Sequence, residues 1–132
     1  MGLVNRLMAF KIKKFLFNSD YMVVNSDKKR VIFKIDLLPL RLSLFPSIIV
    51  EKKYLTLEII LKKVTSIDDL KKYQRKCLEF NERINFFKSY INENKLLIVK
   101  YNWYSNFYNY QEDIIMLIDY LIEKNQIIGE LL

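Results

Sequence analysis

The sequence predicts an α+β domain: an antiparallel sheet of about five strands with helices packed on it, in the order α-β-β-β(-β)-α-β-β-α. Three observations carry this expectation. Apolar residues recur at helical spacing in three separate segments, at the start, middle and end of the chain. Between the first two, apolar and polar residues alternate, as in strands buried on one face. Clusters of Asn, Ser, Asp and Pro punctuate the segments.

Residues 3–17 form the first expected helix. Leu3, Val4, Leu7, Met8, Ile12 and Phe15 recur at helical spacing, and Asn18-Ser19-Asp20 ends the segment. It reads either as a core helix packed on the sheet or as a basic amphipathic helix for a membrane or RNA surface. Tyr21–Val24 is a short candidate strand, with a turn over Asn25–Lys28. Val31, Phe33, Ile35 and Leu37 alternate with Lys34 and Asp36 as a second strand, which Pro39 ends or places at an edge. Leu40, Leu42 and Leu44 continue the alternation, Pro46 interrupts, and Ile48–Val50 reads as its continuation. Glu51-Lys52-Lys53 turns the chain into Leu55, Leu57, Ile59 and Leu61. Together these segments form a meander of three or four strands.

Ser66 starts the central helix, with Asp69 three residues on as an Asp variant of the capping box. Ile67, Leu70, Cys77 and Leu78 mark its face as far as Phe80. Strands follow at about Phe86–Ile91 and Leu96–Trp103, joined by Asn92-Glu93-Asn94. The last helix runs from about Tyr110 to Lys124, with Asn109 as its cap and Ile114, Ile115, Ile118, Leu121 and Ile122 as its stripe. Ile127, Ile128, Leu131 and Leu132 leave an apolar tail that must pack on this domain or a neighbour. The 132 residues suit a single domain, 1–132.

Composition limits function. There is no histidine, which removes the commonest general base, the His-dependent nucleophile systems and most zinc sites. Glycine stands only at 2 and 129, so no phosphate-cradling loop can form. Cys77 is the single cysteine and lies on an apolar helix face, as a small core residue would. Glu79 and Glu82 are better explained as a solvated helix face than as a catalytic pair. No catalytic, cofactor-binding or metal-ligating residue is therefore assigned, and no enzyme activity is expected. A lone cysteine points to a reducing compartment, cytoplasm or organelle matrix. No apolar run is long enough to span a bilayer, the N-terminus lacks a secretory cleavage site, and Arg6 stands where a myristoylation signal needs Ser or Thr.

The formal net charge is +7, which favours a polyanionic partner such as RNA. Arg6, Lys11, Lys13 and Lys14 all precede the first acid, Asp20, and are the candidate polyanion-binding residues. Near the other end, Tyr101, Trp103, Tyr104, Phe107 and Tyr108 are interleaved with Asn and Ser. Such rings either stack on bases, anchor a protein interface, or pack alternately into the core. Scarce Ala, Gly and Pro with abundant Lys, Asn, Ile, Tyr and Phe indicate a very AT-rich genome.

Cys77-Leu78-Glu79-Phe80-Asn81, then Phe87-Lys88-Ser89-Tyr90-Ile91-Asn92, then Leu96-Leu97-Ile98-Val99 carry a resemblance over about residues 66–124. The pattern resembles the YbjN family, whose fold is that of type III secretion chaperones. The resemblance implies helices on an antiparallel sheet, often dimeric, binding other proteins without catalysis. The expectation is a protein-binding module, acting as partner or subunit of a larger assembly through a sheet edge or the aromatic segment. The alternative is a basic ribosomal subunit, organellar or from an AT-rich genome, contacting rRNA. An accessory subunit of a respiratory or translocation complex is a third reading.

Overall fold

The computed structural model describes residues 2–52, 54–106 and 108–132; Met1, Lys53 and Phe107 lie outside this set, as do the side chains of Leu3 and Pro39. The described residues form one six-stranded antiparallel sheet, one two-stranded hairpin and four α-helices.

Helix α1 (Gly2–Asn18) leads into β1 (Val23–Ser26) and β2 (Arg30–Phe33). The chain then leaves the sheet for a hairpin of β3 (Ile35–Leu37) and β4 (Leu42–Leu44), joined by a short 3-10 turn over Leu38–Leu40. It returns as β5 (Ser47–Val50) and β6 (Leu55–Lys63), followed by α2 (Ile67–Arg83), β7 (Lys88–Ile91), β8 (Leu96–Trp103), α3 (Tyr110–Glu123) and α4 (Asn125–Glu130). Strand order in the main sheet is β1-β2-β5-β6-β8-β7. The α+β class and the element order follow the sequence pattern.

The single strand expected over Val31–Leu37 is broken. Phe33 and Ile35 are both buried, but Phe33 bonds back to the Pro46 carbonyl (3.1 Å) while Ile35 pairs with Leu44 in the separate hairpin. Arg41 takes a left-handed conformation (φ 50°) between the hairpin arms. Leu37 and Leu44 join the main core, and Leu40 rests against Gly129 in α4. The turn between β1 and β2 falls at Asp27–Lys29, two residues beyond the expected start, because Asp27 Oδ1 accepts from the Lys29 and Arg30 amides (3.0 and 2.9 Å).

The core lies between one sheet face and the helix layer. Ile12 and Leu16 of α1, Val31, Phe33, Ile48, Leu57 and Val99 of the sheet, and Ile114, Leu117 and Ile118 of α3 are fully enclosed. The apolar tail packs on its own domain: α4 buries Ile128 and brings Leu131 into the core. A smaller cluster of Val64, Tyr73, Cys77 and Leu97 sits under α2. Ile49 and Ile98 are buried yet belong to neither cluster. They lie on the opposite sheet face, beside Thr56 and Ile60 in the strand register.

Helix ends obey local chemistry in one case and depart in another. Ser66 Oγ accepts from the Asp69 amide (3.1 Å), the expected α2 cap. Asn109 makes no cap; instead Asn106 Oδ1 accepts from the Tyr108 and Asn109 amides (2.8 and 3.0 Å) and folds the approach to α3. On α3, Ile122 is exposed and Leu117 takes a core position, a rotation of the expected stripe.

Candidate functional site: one end of the sheet

Three features of the sequence meet at one end of the sheet. The Val50 amide donates to the Lys29 carbonyl (2.7 Å), which sets the β1–β2 turn beside the β5–β6 turn. Leu55 pairs with Trp103, so the segment after β8 emerges at the same end. The first turns of α1 arrive there too. A cavity of about 200 Å³ is lined by Val4, Asn5 and Met8 of α1, Lys52 and Tyr54 of the β5–β6 turn, and Ser105 and Asn106, among others. Asn5 also lines a neighbouring open cavity of about 450 Å³, together with Arg6, Asp27, Lys28 and Lys29. The two adjoin at Asn5, the residue they share, and together are called the groove.

Cations outnumber acids in its lining: Arg6, Lys28, Lys29 and Lys52 against Asp27 and Glu51. Arg6, Lys28, Lys29 and Lys52 form no ion pair with a carboxylate among the described residues. The Lys29 and Arg30 amides, with the charges of Arg30 and Lys29, hold the Asp27 carboxyl below the usual aspartate range. That side chain is committed to shaping the turn that carries the two lysines.

The aromatic run divides by alternation. Tyr101 and Trp103 point into the helix layer, and their rings stack at 5.9 Å with planes 5° apart. Trp103 is only 9% exposed, and among the described residues its Nε1 finds no hydrogen-bond partner. Tyr101 also meets Phe86 and Phe87, which in turn meet Tyr120. These two rings are therefore structural neighbours of the core rather than free surface. Tyr104 and Tyr108 are 81% and 91% exposed. Phe107 lies outside the described residues.

The candidate cations on α1 also divide. Arg6 lines the groove, while Lys11, Lys13 and Lys14 lie further along an exposed helix surface. That surface is not purely polar. Met8, Ala9, Ile12 and Leu16 face the core, but Leu7, Phe10, Lys14 and Phe17 follow one another at helical spacing on the outside. Phe10 is 62% exposed and Phe17 71%. The expected apolar stripe was partly misplaced: Val4 and Leu7 are exposed, because the helix carries apolar residues on two sides.

One cluster lies outside the expected sites. The buried Tyr73 hydroxyl donates to the Leu132 oxygen (3.0 Å) and accepts from Lys62 Nζ (2.6 Å). Lys62, Lys76 and Lys72 lie 4.5, 5.0 and 5.7 Å from its ring centre. Only the fold brings Lys62 to α2; Lys72 and Lys76 flanking Tyr73 at helical spacing were the available signal. Elsewhere, Cys77 is buried, and that burial pushes its thiol up from the usual range. Glu79 and Glu82 are solvent-exposed. Among the described residues no group of His, Cys, Asp and Glu is arranged to hold a metal ion. No helix of the described residues is long and apolar enough to cross a membrane.

Compared with family models, curated proteins and solved structures, the chain matches none. The groove and the outer ridge of α1 are thus read on their own chemistry.

Proposed function

We propose that this chain is a non-catalytic protein-binding module that works as a partner or subunit of a larger assembly. The observation carrying this reading is the outer ridge of α1, where Leu7, Phe10 and Phe17 hold apolar surface in water. Isolated exposed apolar residues are ordinary, but a ridge that sets two mostly exposed phenylalanines on either side of Lys14 is the pattern of an interface. Phenylalanines of this kind, surrounded by Lys and Arg, suit a partner with an apolar groove and an acidic rim. The chaperone-like reading draws on the sequence pattern around Asn81 and Tyr90 and on the α+β architecture that pattern implies.

The test is site-specific photo-crosslinking in the native cell. A photoreactive residue at Phe10 or Phe17 is expected to trap one defined protein, and one at the exposed Glu79 on α2 is not. The double variant Phe10→Ser/Phe17→Ser is expected to lose that protein on purification while keeping its helical circular dichroism. Equal trapping from all three positions would defeat the proposal.

A further inference from the structure

We propose that the groove at the end of the sheet binds a single-stranded polynucleotide, its phosphates on Arg6, Lys28, Lys29 and Lys52 and its bases on exposed tyrosines. This inference is independent of the protein-binding reading, which rests on a different part of α1.

The argument begins with charge. Four cations from three separate chain segments converge on one groove, and none ion-pairs among the described residues. Two acids, Asp27 and Glu51, also line it. Asp27 accepts from the Lys29 and Arg30 amides and so fixes the turn that carries Lys28 and Lys29; with both acids counted, the lining still holds four cations against two anions. A chain of phosphates spaced along a backbone fits cations spread along a groove better than one compact anion would.

The second argument is the aromatics. Tyr54 lines the groove itself. Tyr104 and Tyr108 lie on either side of Ser105–Asn106 in sequence and are exposed; neither lines the groove, and Tyr104 lines a separate cavity with Asp113 and Met116, so both would reach a bound chain from beside it. The turn held by Asn106 Oδ1 fixes the backbone at Tyr108, which reduces the entropy lost when the ring is engaged. Exposed rings beside cations bind unstacked bases, each ring worth about 1–3 kcal/mol by substitution, with little regard to base identity. Asn5 and Asn106 add amide groups able to bond base edges. Duplex bases are stacked on one another and offer no face to these rings, which is why the ligand is single-stranded.

The experiment is fluorescence anisotropy with labelled oligouridylate and oligodeoxythymidylate, a duplex of matching length, and anionic phospholipid vesicles as a competitor. Four phosphate contacts at about 0.7 counterions each predict a log–log salt slope of about −3, or roughly a 50-fold loss between 50 and 200 mM salt. The Lys28→Gln/Lys29→Gln variant is expected to lower that slope by about half. Tyr108→Ser is expected to weaken binding at least several-fold with the slope unchanged, while thermal unfolding of both variants stays at the wild-type midpoint. Preference for the uridylate over the deoxythymidylate would identify RNA as the source; the reverse would identify DNA. Duplex bound as tightly as single strand, a slope unmoved by the lysine changes, or vesicles that displace all of the oligonucleotide overturns the proposal.

Discussion

The side-chain amide of Asn81 stands in for a missing neighbour strand at Ser89. Asn81 Oδ1 accepts from the Ser89 amide (2.7 Å), and Asn81 Nδ2 donates to the Ser89 carbonyl (3.1 Å). Ser89 lies in β7, the last strand at that edge of the sheet, and faces α2. Unpaired edge groups are templates for unwanted pairing, and here a helix residue occupies them. The opposite edge, β1, carries an irregularity between Val23 and Asn25 that serves the same end.

Asn81→Ala is therefore expected to cost about 1–3 kcal/mol, because two buried backbone groups lose their partner. Chemical denaturation measures the loss. Asn81→Asp keeps the acceptor but sets a carboxylate against the Ser89 carbonyl, so it should be no better than alanine. The alanine variant should also self-associate at concentrations where the parent does not, read by sedimentation velocity.

Trp103→Ala should destabilise the fold by about 3–5 kcal/mol, the usual cost of removing a large buried ring. Tyr108→Ala, at a fully exposed ring, should fall within about 0.5 kcal/mol of the parent. Paired thermal melts distinguish the two residues of the aromatic run. A small effect at Trp103 would mean that its stack on Tyr101 is not part of the core.

Tyr73 should ionise below the ordinary tyrosine range. The hydrogen bond from Lys62 favours the phenolate, against desolvation, and the charges of Lys62, Lys76 and Lys72 add to it. The folded value lies below the unfolded one. The group's contribution is thus full above the unfolded value and lost as pH falls through the folded value. Stability should gain from this site as pH rises between the two. Tyrosinate difference absorbance should show one early-titrating phenol, and Lys62→Met should return it to the others.

Cys77 should resist thiol reagents in the native protein and react fully in denaturant. It is buried beneath α2, with its thiol pushed up by desolvation. Fast native-state labelling would show that α2 opens locally.

The class, the order of elements and the span of the central helix were legible because they depend on local periodicity and caps; its buried face was not, since Ile67 and Leu78 are exposed and Tyr73 is buried. Ser66 with Asp69, and the alternation of Leu55, Leu57 and Ile59, are such signals. The break at Lys34 was not legible, since both Phe33 and Ile35 are apolar and only the distant partners Pro46 and Leu44 assign them to different sheets. The same limit governed the candidate site. Arg6 and the aromatic segment were each visible as composition, but Lys28, Lys29, Lys52 and Tyr54 joined them only through the strand register. On α1, apolar residues on two faces gave no signal for which face the core would take.

The hairpin between Phe33 and Ser47 pairs only with itself, yet Ile35, Leu37 and Leu44 plug the core beside α4. Its base is closed at Phe33 and Pro46, and the pairing of β2 with β5 uses no residue of the hairpin. This gives the segment the character of a stopper. Amide protons in β3 and β4 should exchange with solvent through a partial opening of lower free energy than the global transition, ahead of those in β6 and β8. The interior beside α4 would then be reached from one side while the rest of the molecule holds its shape.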